Sequence, residues 1–228
     1  MTARLTCIIP AYNEAARIAA VLEAVLDHPQ IDEVIVVDDG SADGTAQVAA
    51  QTPARLIALP QNGGKTAALM HGLSAATGDL ILLVDADLIG LSPAHLTALI
   101  DPVRQGHADI SISLRDNAPF LWRWIGLDYI SGERVLHKSL LQGQDDALRS
   151  LPKFGFEVFI NSLLTSRQAR IAVIRWPGVI SPIKSTKYGL WTGMKAEVAM
   201  LRDLTRAVPL LGLLRQIVVM RRLRIAVK

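Results

Sequence analysis

Two pairs of aspartates stand where apolar runs give out: Asp38 and Asp39 in VIVVDDGSADGTAQVA, and Asp85 and Asp87 in LILLVDAD. Carboxylates repel one another and resist burial, so such pairs need a cation or a set of donors to hold them. In extended backbone, residues two apart point the same way, which would set Asp85 and Asp87 on one side of a strand end with a cation between them. Hard oxygen ligands suit Mg2+ or Mn2+, which normally bind through one or two carboxylates together with substrate phosphates.

A second set of chemistry-bearing residues lies past position 115. Arg134 and Lys138 are four apart and would share one face of a helix, while Lys184, Ser185 and Lys187 crowd one loop. That cationic density suits an anionic group, although solvated loop lysines are the common alternative. Glu157 is the candidate base, with a helix-surface or supporting role as its alternative. A hydroxyl acceptor would need such a base, whereas a phosphate is already anionic and needs positive groups to place it.

The elements that must carry these residues follow from periodicity. Residues 5–9, 34–37, 55–59, 80–84 and 108–113 read as buried strands, and Ile18, Val21, Leu22, Val25 and Leu26 form a helical stripe. Further helices are expected over 43–50, around Leu69–Ala76, and after Ser92, which caps a helix opened by Pro93. Strands alternating with helices mean a mainly parallel sheet, which binds ligands beyond the carboxyl ends of its strands. PAYNE, DDGS, QNGGK and DAD each fall at such an end. Past residue 115 the rhythm breaks. A Trp-rich stretch is followed by a helix with Phe156, Phe159, Ile160 and Leu163 on one face, a strand over 171–175, a loop, and a helix over 195–207.

Four stretches, IIPAYNEAARI, VIVVDDGSADGT, NGGKTAALMHGLSAATGD and ILLVDAD, resemble glycosyltransferase family 2 in order and spacing over residues 5–115. SGERVLHKSLL, GFEVFIN and SPIKSTKYG resemble, more loosely, its dolichyl- and polyprenyl-phosphate sugar synthases. The resemblance implies an α/β fold of the GT-A type. Its mainly parallel Rossmann-like sheet would be flanked by helices, with an acceptor-side extension and a terminal helix. It divides the chain into one domain over 1–207, with a nucleotide-sugar half over 1–115 and an acceptor half over 116–207, and a basic apolar helix over 208–228.

The same resemblance places a UDP- or GDP-sugar against Pro10, Ala11, Tyr12, Glu14, Asp38, Asp39, Lys65, Asp85 and Ala86, with a metal on Asp85 and Asp87. Asp39, acceptor-only when ionised, suits base N–H groups and sugar hydroxyls. Lys65 follows two glycines at a helix start, where its ammonium and free backbone N–H groups would meet a base edge or a phosphate. Asp87, Glu157 and Arg134 are the implied catalytic residues, with Arg134, Lys138, Lys184, Ser185 and Lys187 around a lipid-phosphate acceptor. Relatives often carry a polar metal ligand where this chain has Ile89, so the metal would rest on Asp85, Asp87, diphosphate and water.

Composition sets the remaining bounds. The net charge of +3 is uneven, because six basic residues and no acid follow Asp203, leaving 18 basic and 21 acidic residues in the body. An anionic membrane is the expected partner of this tail, with a packed terminal helix or a homodimer contact as alternatives. The basic residues fall on two sides of the projected helix, which is not a clean amphipathic pattern. Nucleic acid is not expected, since the tail has no aromatics to stack on bases. One buried cysteine, Cys7, excludes an internal disulfide. With no signal-peptide layout and no spanning helix, a cytoplasmic protein at the inner membrane face is expected. Transfer to a soluble phosphorylated acid or a sugar is the nearest alternative. A nucleotidyltransferase would need a glycine-rich, arginine-bearing loop where PAYNE stands, and intact Asp39, Asp85 and Asp87 argue against a non-catalytic nucleotide-binding module.

Overall fold

The computed structural model describes residues 3–144, 147–148, 151, 155–182 and 209–226; Lys184, Ser185, Lys187 and the helix expected over 195–207 lie outside them. Among these residues the chain runs β1 (Leu5–Ala11), α1 (Ile18–Leu26), β2 (Glu33–Asp38), α2 (Thr45–Ala50), β3 (Arg55–Ala58), α3 (Lys65–Ala75), β4 (Leu80–Leu83) and α4 (Pro93–Arg104). It continues through β5 (Ile110–Arg115), α5 (Phe120–Ile125), β6 (Arg134–His137), a short 3₁₀ turn (Lys138–Leu141), α6 (Gly155–Ser166), β7 (Ile171–Trp176), α7 (Leu210–Arg222) and β8 (Arg224–Ile225).

The strands form one sheet in the order β3-β2-β1-β4-β6-β5-β7-β8. All neighbours are parallel except β6, which runs antiparallel between β4 and β5. This is the helix-flanked, mainly parallel α/β architecture the sequence implies. Alternate strand residues feed opposite layers, as the pleat requires. Cys7, Ile9, Leu80 and Leu82 pack beneath α1, α2 and α4, whereas Ile8, Ile35, Ile81 and Leu83 pack beneath α3, α6 and α7. Burial pushes the Cys7 thiol far above its ordinary range, so it serves the core as expected. Ser92 opens α4 with Pro93 behind it, its backbone N–H donating to His95 Nδ1 at 3.2 Å.

Two expectations about local backbone change. β4 ends at Leu83, so Asp85, Ala86 and Asp87 occupy the turn beyond it and the side-sharing rule for extended chain does not apply. Arg134 and Lys138 do not stack on a helix, because residues 134–137 form β6 and Lys138 begins the 3₁₀ turn. The strand wins because β4 and β5 would otherwise leave facing edges unpaired: Arg134 sits opposite Leu83 on one side and Ile112 on the other. The sheet turns its sequence order around between β1 and β4, and the crevice above that junction is where such folds bind ligands.

Candidate active site

Several polar motif residues are spent on building the loops above this crevice. Asn13, at φ +55°, donates its N–H to Ser41 Oγ at 2.9 Å and accepts the Ala42 N–H at 2.9 Å. The Glu14 N–H donates to Thr45 Oγ1 at 2.8 Å, and that of Ala15 to Asp43 Oδ2 at 3.1 Å. PAYNE and SADGT are therefore one stitched structure at the ends of β1 and β2. Gly40, at φ +71°, has no room for a Cβ, which would lie 2.7–2.9 Å from the Gln61–Asn62 backbone.

Asp39 holds the third loop. Its two carboxylate oxygens accept the Gly63 and Gly64 N–H groups at 2.8 Å each, so those donors are not free for a phosphate as the sequence suggested. An ionised carboxylate still has lone pairs to offer, and Asp39 faces the crevice. Asp38, at the end of β2, is buried; its Oδ2 accepts the Ser41 N–H at 3.3 Å, and its Oδ1 has no hydrogen-bond partner among the described residues.

The loops enclose a cavity of about 530 Å3 lined by Pro10, Ala11, Tyr12, Glu14, Asp39, Lys65, Asp85, Ala86 and Asp87. Of the nucleotide-sugar and metal residues read from sequence, only Asp38 is missing from this lining. Asn62, Gly64 and Ala68 complete it; the first two were legible as part of the polar end after β3. Tyr12 is 44% exposed at the mouth, where its ring offers a stacking surface.

At the floor, Lys65 Nζ lies 2.6 Å from Asp85 Oδ1 and 3.2 Å from Glu157 Oε1. Burial works against the lysine charge, but Asp85 and Glu157 outweigh it and push its pKa up. Burial likewise opposes Asp85 ionisation, while Lys65, with Arg115 and Arg134 beyond, holds its carboxyl below the ordinary range. Glu157 pairs with Lys65 and, among the described residues, is not one that lines the cavity.

Asp87 accepts the Ser181 hydroxyl at 2.7 Å through Oδ2, while its buried Oδ1 has no hydrogen-bond partner among the described residues. Ile89 and Ile180 exchange backbone hydrogen bonds at 2.8 and 3.0 Å, pinning this turn to the chain after β7. Five carboxylates (Asp85, Asp87, Asp128, Glu133, Glu157) face three cations (Lys65, Arg115, Arg134) across this floor. The surplus of two negative charges and the orphaned Asp87 oxygen suit one divalent cation. Among the described residues, no three His, Cys, Asp or Glu side chains are grouped so that they could hold a metal ion by themselves. Asp128 registers the crowding: burial pushes its pKa up to about 6 despite Arg115.

The acceptor-side residues are rearranged. Arg134 is fully buried, donating from Nε to Ser131 O at 2.8 Å, Nη1 to Asn161 Oδ1 at 2.7 Å and Nη2 to Tyr129 O at 3.0 Å. Such a guanidinium is a girder, and it does not reach an acceptor. Lys138 donates to Ala76 O at 2.6 Å and lines a different cavity at the amino-terminal edge of the sheet. Arg115, Arg123 and Arg175 line a separate cleft of about 400 Å3 with Asp116 at the carboxyl ends of β5 and β7. Arg115 was findable, since RDN is a polar strand end like the other four.

Gly132 lies against the Lys65–Asp85 pair, and a Cβ there would come within 2.5 Å of Asp85 Oδ2 and Lys65 Nζ. Gly132→Ala is therefore expected to drive the pair apart. Overpacking of this kind costs about 1–3 kcal/mol, and donor affinity should fall with stability. Calorimetric titration with a nucleotide sugar beside thermal denaturation checks this; unchanged values in both would refute the close packing.

Glycosyl transferase family 2 matches residues 6–164 of the chain. The chain is 35% identical over 128 residues to an undecaprenyl-phosphate 4-deoxy-4-formamido-L-arabinose transferase of Aeromonas hydrophila, covering 52% of this chain and 39% of that protein. It is 33% identical over 111 residues to a glucosyl-3-phosphoglycerate synthase of Mycobacterium tuberculosis, covering 45% of this chain and 34% of the other. It thus spans well under half the length of these curated relatives. A crystal structure of the Mycobacterium tuberculosis synthase with Mn2+, UDP-glucose and phosphoglyceric acid is similar at a TM-score of 0.67 and 26% identity, covering 80% of this chain and 72% of that one.

Proposed function

This chain belongs to glycosyl transferase family 2, and on that premise we propose that it moves a sugar from a UDP- or GDP-sugar to a prenyl-phosphate acceptor. The observation that carries the donor half is one cavity joining the ends of β1 to β4, lined by Asp85 and Asp87, with the buried Asp87 Oδ1 lacking a hydrogen-bond partner among the described residues. Pro10, Ala11, Tyr12 and Asp39 would receive the nucleoside, and Lys65 would swing its charge between Asp85 and the diphosphate. Asp85 and Asp87 would hold Mg2+ or Mn2+, which neutralises charge on the departing diphosphate. The relative solved with Mn2+ and UDP-glucose supports this assignment.

An acceptor phosphate needs no base. One of its oxygens attacks the anomeric carbon as the bond to the diphosphate breaks on the opposite side, inverting that centre. In the neighbouring cleft, Arg123 and Arg175, which the floor carboxylates do not hold, offer the positive charge such a group requires. A soluble phosphorylated acid shares that charge, and the neighbour holding phosphoglyceric acid favours it as the second reading. The undecaprenyl-phosphate relative favours the lipid. Among the described residues no helix is long and apolar enough to cross a membrane.

The test is a transfer assay pairing UDP- and GDP-sugars with undecaprenyl phosphate, 3-phosphoglycerate and a free sugar, with and without Mn2+. Metal-dependent transfer to undecaprenyl phosphate is expected. Transfer only to 3-phosphoglycerate would replace the lipid acceptor, and metal-independent turnover would overturn the role of Asp85 and Asp87.

A further inference from the structure

α7 is apolar on two opposite sides. Leu213, Ile217 and Met220 are buried beneath it, whereas Leu211, Leu214 and Val218 are 82%, 51% and 50% exposed. Spaced three and four residues apart, the exposed three make one stripe along the helix. By the same spacing Arg215 and Arg222 flank the stripe on one side and Arg221 on the other, all exposed. The basic residues fall on two sides because an apolar strip lies between them.

α5 carries further exposed apolar side chains. Phe120 and Trp124 are 70% and 72% exposed, while Trp122 is buried and stacks on Tyr129 at 5.7 Å. The Tyr129 hydroxyl donates to Gln216 Oε1 at 2.5 Å, and Arg224 Nη1 donates to Ile125 O at 3.3 Å, which fastens α5 to α7 and β8. Six of the nine large exposed apolar residues among those described sit on these two helices. That concentration exceeds the scatter of ordinary surface apolar groups.

We propose that α5 and α7 together form the docking face for an anionic phospholipid bilayer. This deepens the lipid-acceptor reading and rests on it for its purpose. The occupant follows from charge. No acid follows Asp203, and among the described residues Arg215, Arg221 and Arg222 form no ion pair. A second copy would set the same arginines against each other. A bilayer of anionic lipid instead takes the apolar stripe and the exposed Phe and Trp between its headgroups, and pairs the arginines with phosphates. Arginine stems reach outward from such a stripe without leaving the headgroup layer.

The experiment uses the full chain in sedimentation with vesicles of phosphatidylcholine alone and of phosphatidylcholine with phosphatidylglycerol. Binding is expected to the anionic vesicles and to weaken with salt. Arg215→Gln and Arg222→Gln should each lower partition about fivefold, and Leu214→Ser with Trp124→Ala should lower it about tenfold or more. Melting temperature and donor affinity should not move, since every altered residue is on the surface. Failure to bind anionic vesicles, or binding that ignores these substitutions, overturns the proposal. So does a dimer in sedimentation velocity that Leu214→Ser dissolves, because that makes the face a contact between copies. Lost docking with intact transfer to 3-phosphoglycerate removes the face alone; intact docking without transfer to any acceptor supports the face and removes the transferase reading.

Discussion

Asp87→Ala is expected to lower kcat/KM about a thousandfold, roughly 4 kcal/mol of transition-state stabilisation, while leaving the melting temperature nearly unchanged. The side chain makes one hydrogen bond, from the Ser181 hydroxyl, and its second oxygen is buried without a hydrogen-bond partner among the described residues. Removing an unsatisfied buried oxygen relieves a cost to the fold, so the loss should fall on function. The cluster beneath would keep Lys65 against Asp85 and Glu157, since neither contact involves Asp87. Steady-state kinetics, thermal denaturation and titration of UDP with and without Mn2+ separate the effects. A variant that keeps full turnover, or that unfolds, contradicts the assignment.

Arg134→Ala is expected to do the reverse, lowering stability by about 3–5 kcal/mol because it leaves buried acceptors and carboxylates without their cation. Burial draws the Arg134 pKa down, and Glu157, Asp128 and Glu133 pull against that. In a chain of this size the loss corresponds to a fall of roughly 10 °C in melting temperature. Arg134→Lys should rescue little, since one ammonium cannot span Ser131 O, Asn161 Oδ1 and Tyr129 O as the guanidinium fork does. Thermal denaturation of both variants decides. Wild-type stability combined with a raised KM for acceptor alone would return Arg134 to a binding role.

The contrast shows which parts of the site a sequence can display. Pro10, Tyr12, Asp39, Lys65 and Asp87 were legible because each lies at the end of a strand or in the loop that leaves it, where the apolar run gives out, and parallel strands deliver those ends to one edge. Asp38 stands beside them in sequence, but as the last residue of β2 it stays under the loop. The partners of these residues were less visible. Lys65 meets Glu157 across 92 positions, Asp87 meets Ser181 across 94, and Gly132 closes on the Lys65–Asp85 pair from 47 and 67 positions away. The helical reading of Arg134 and Lys138 failed because a four-residue strand has too short a pattern to distinguish from a helix turn, and the open edges of β4 and β5 decided the matter. Such a choice belongs to the assembled sheet and has no local signature.

That strand also governs how the molecule comes together. Among the described residues, β3-β2-β1-β4 and β5-β7-β8 have no direct ladder to each other; residues 134–137 join them. The first four strands can therefore close on α1 to α4 while the second group is still unformed, leaving β4 with a bare flank. Filling that flank means closing a loop from β4 past β5 and back, an entropic cost borne before any reward in contacts. Because Gly132 and Arg134 arrive with the same segment, and Glu157 later still, the Lys65–Asp85 pair gains its supports only after the first four strands are in place. Nascent chains halted before residue 134 would carry every side chain that lines the cavity at the ends of β1 to β4 and still lack the support that sets their charges, with an unpaired edge open to aggregation.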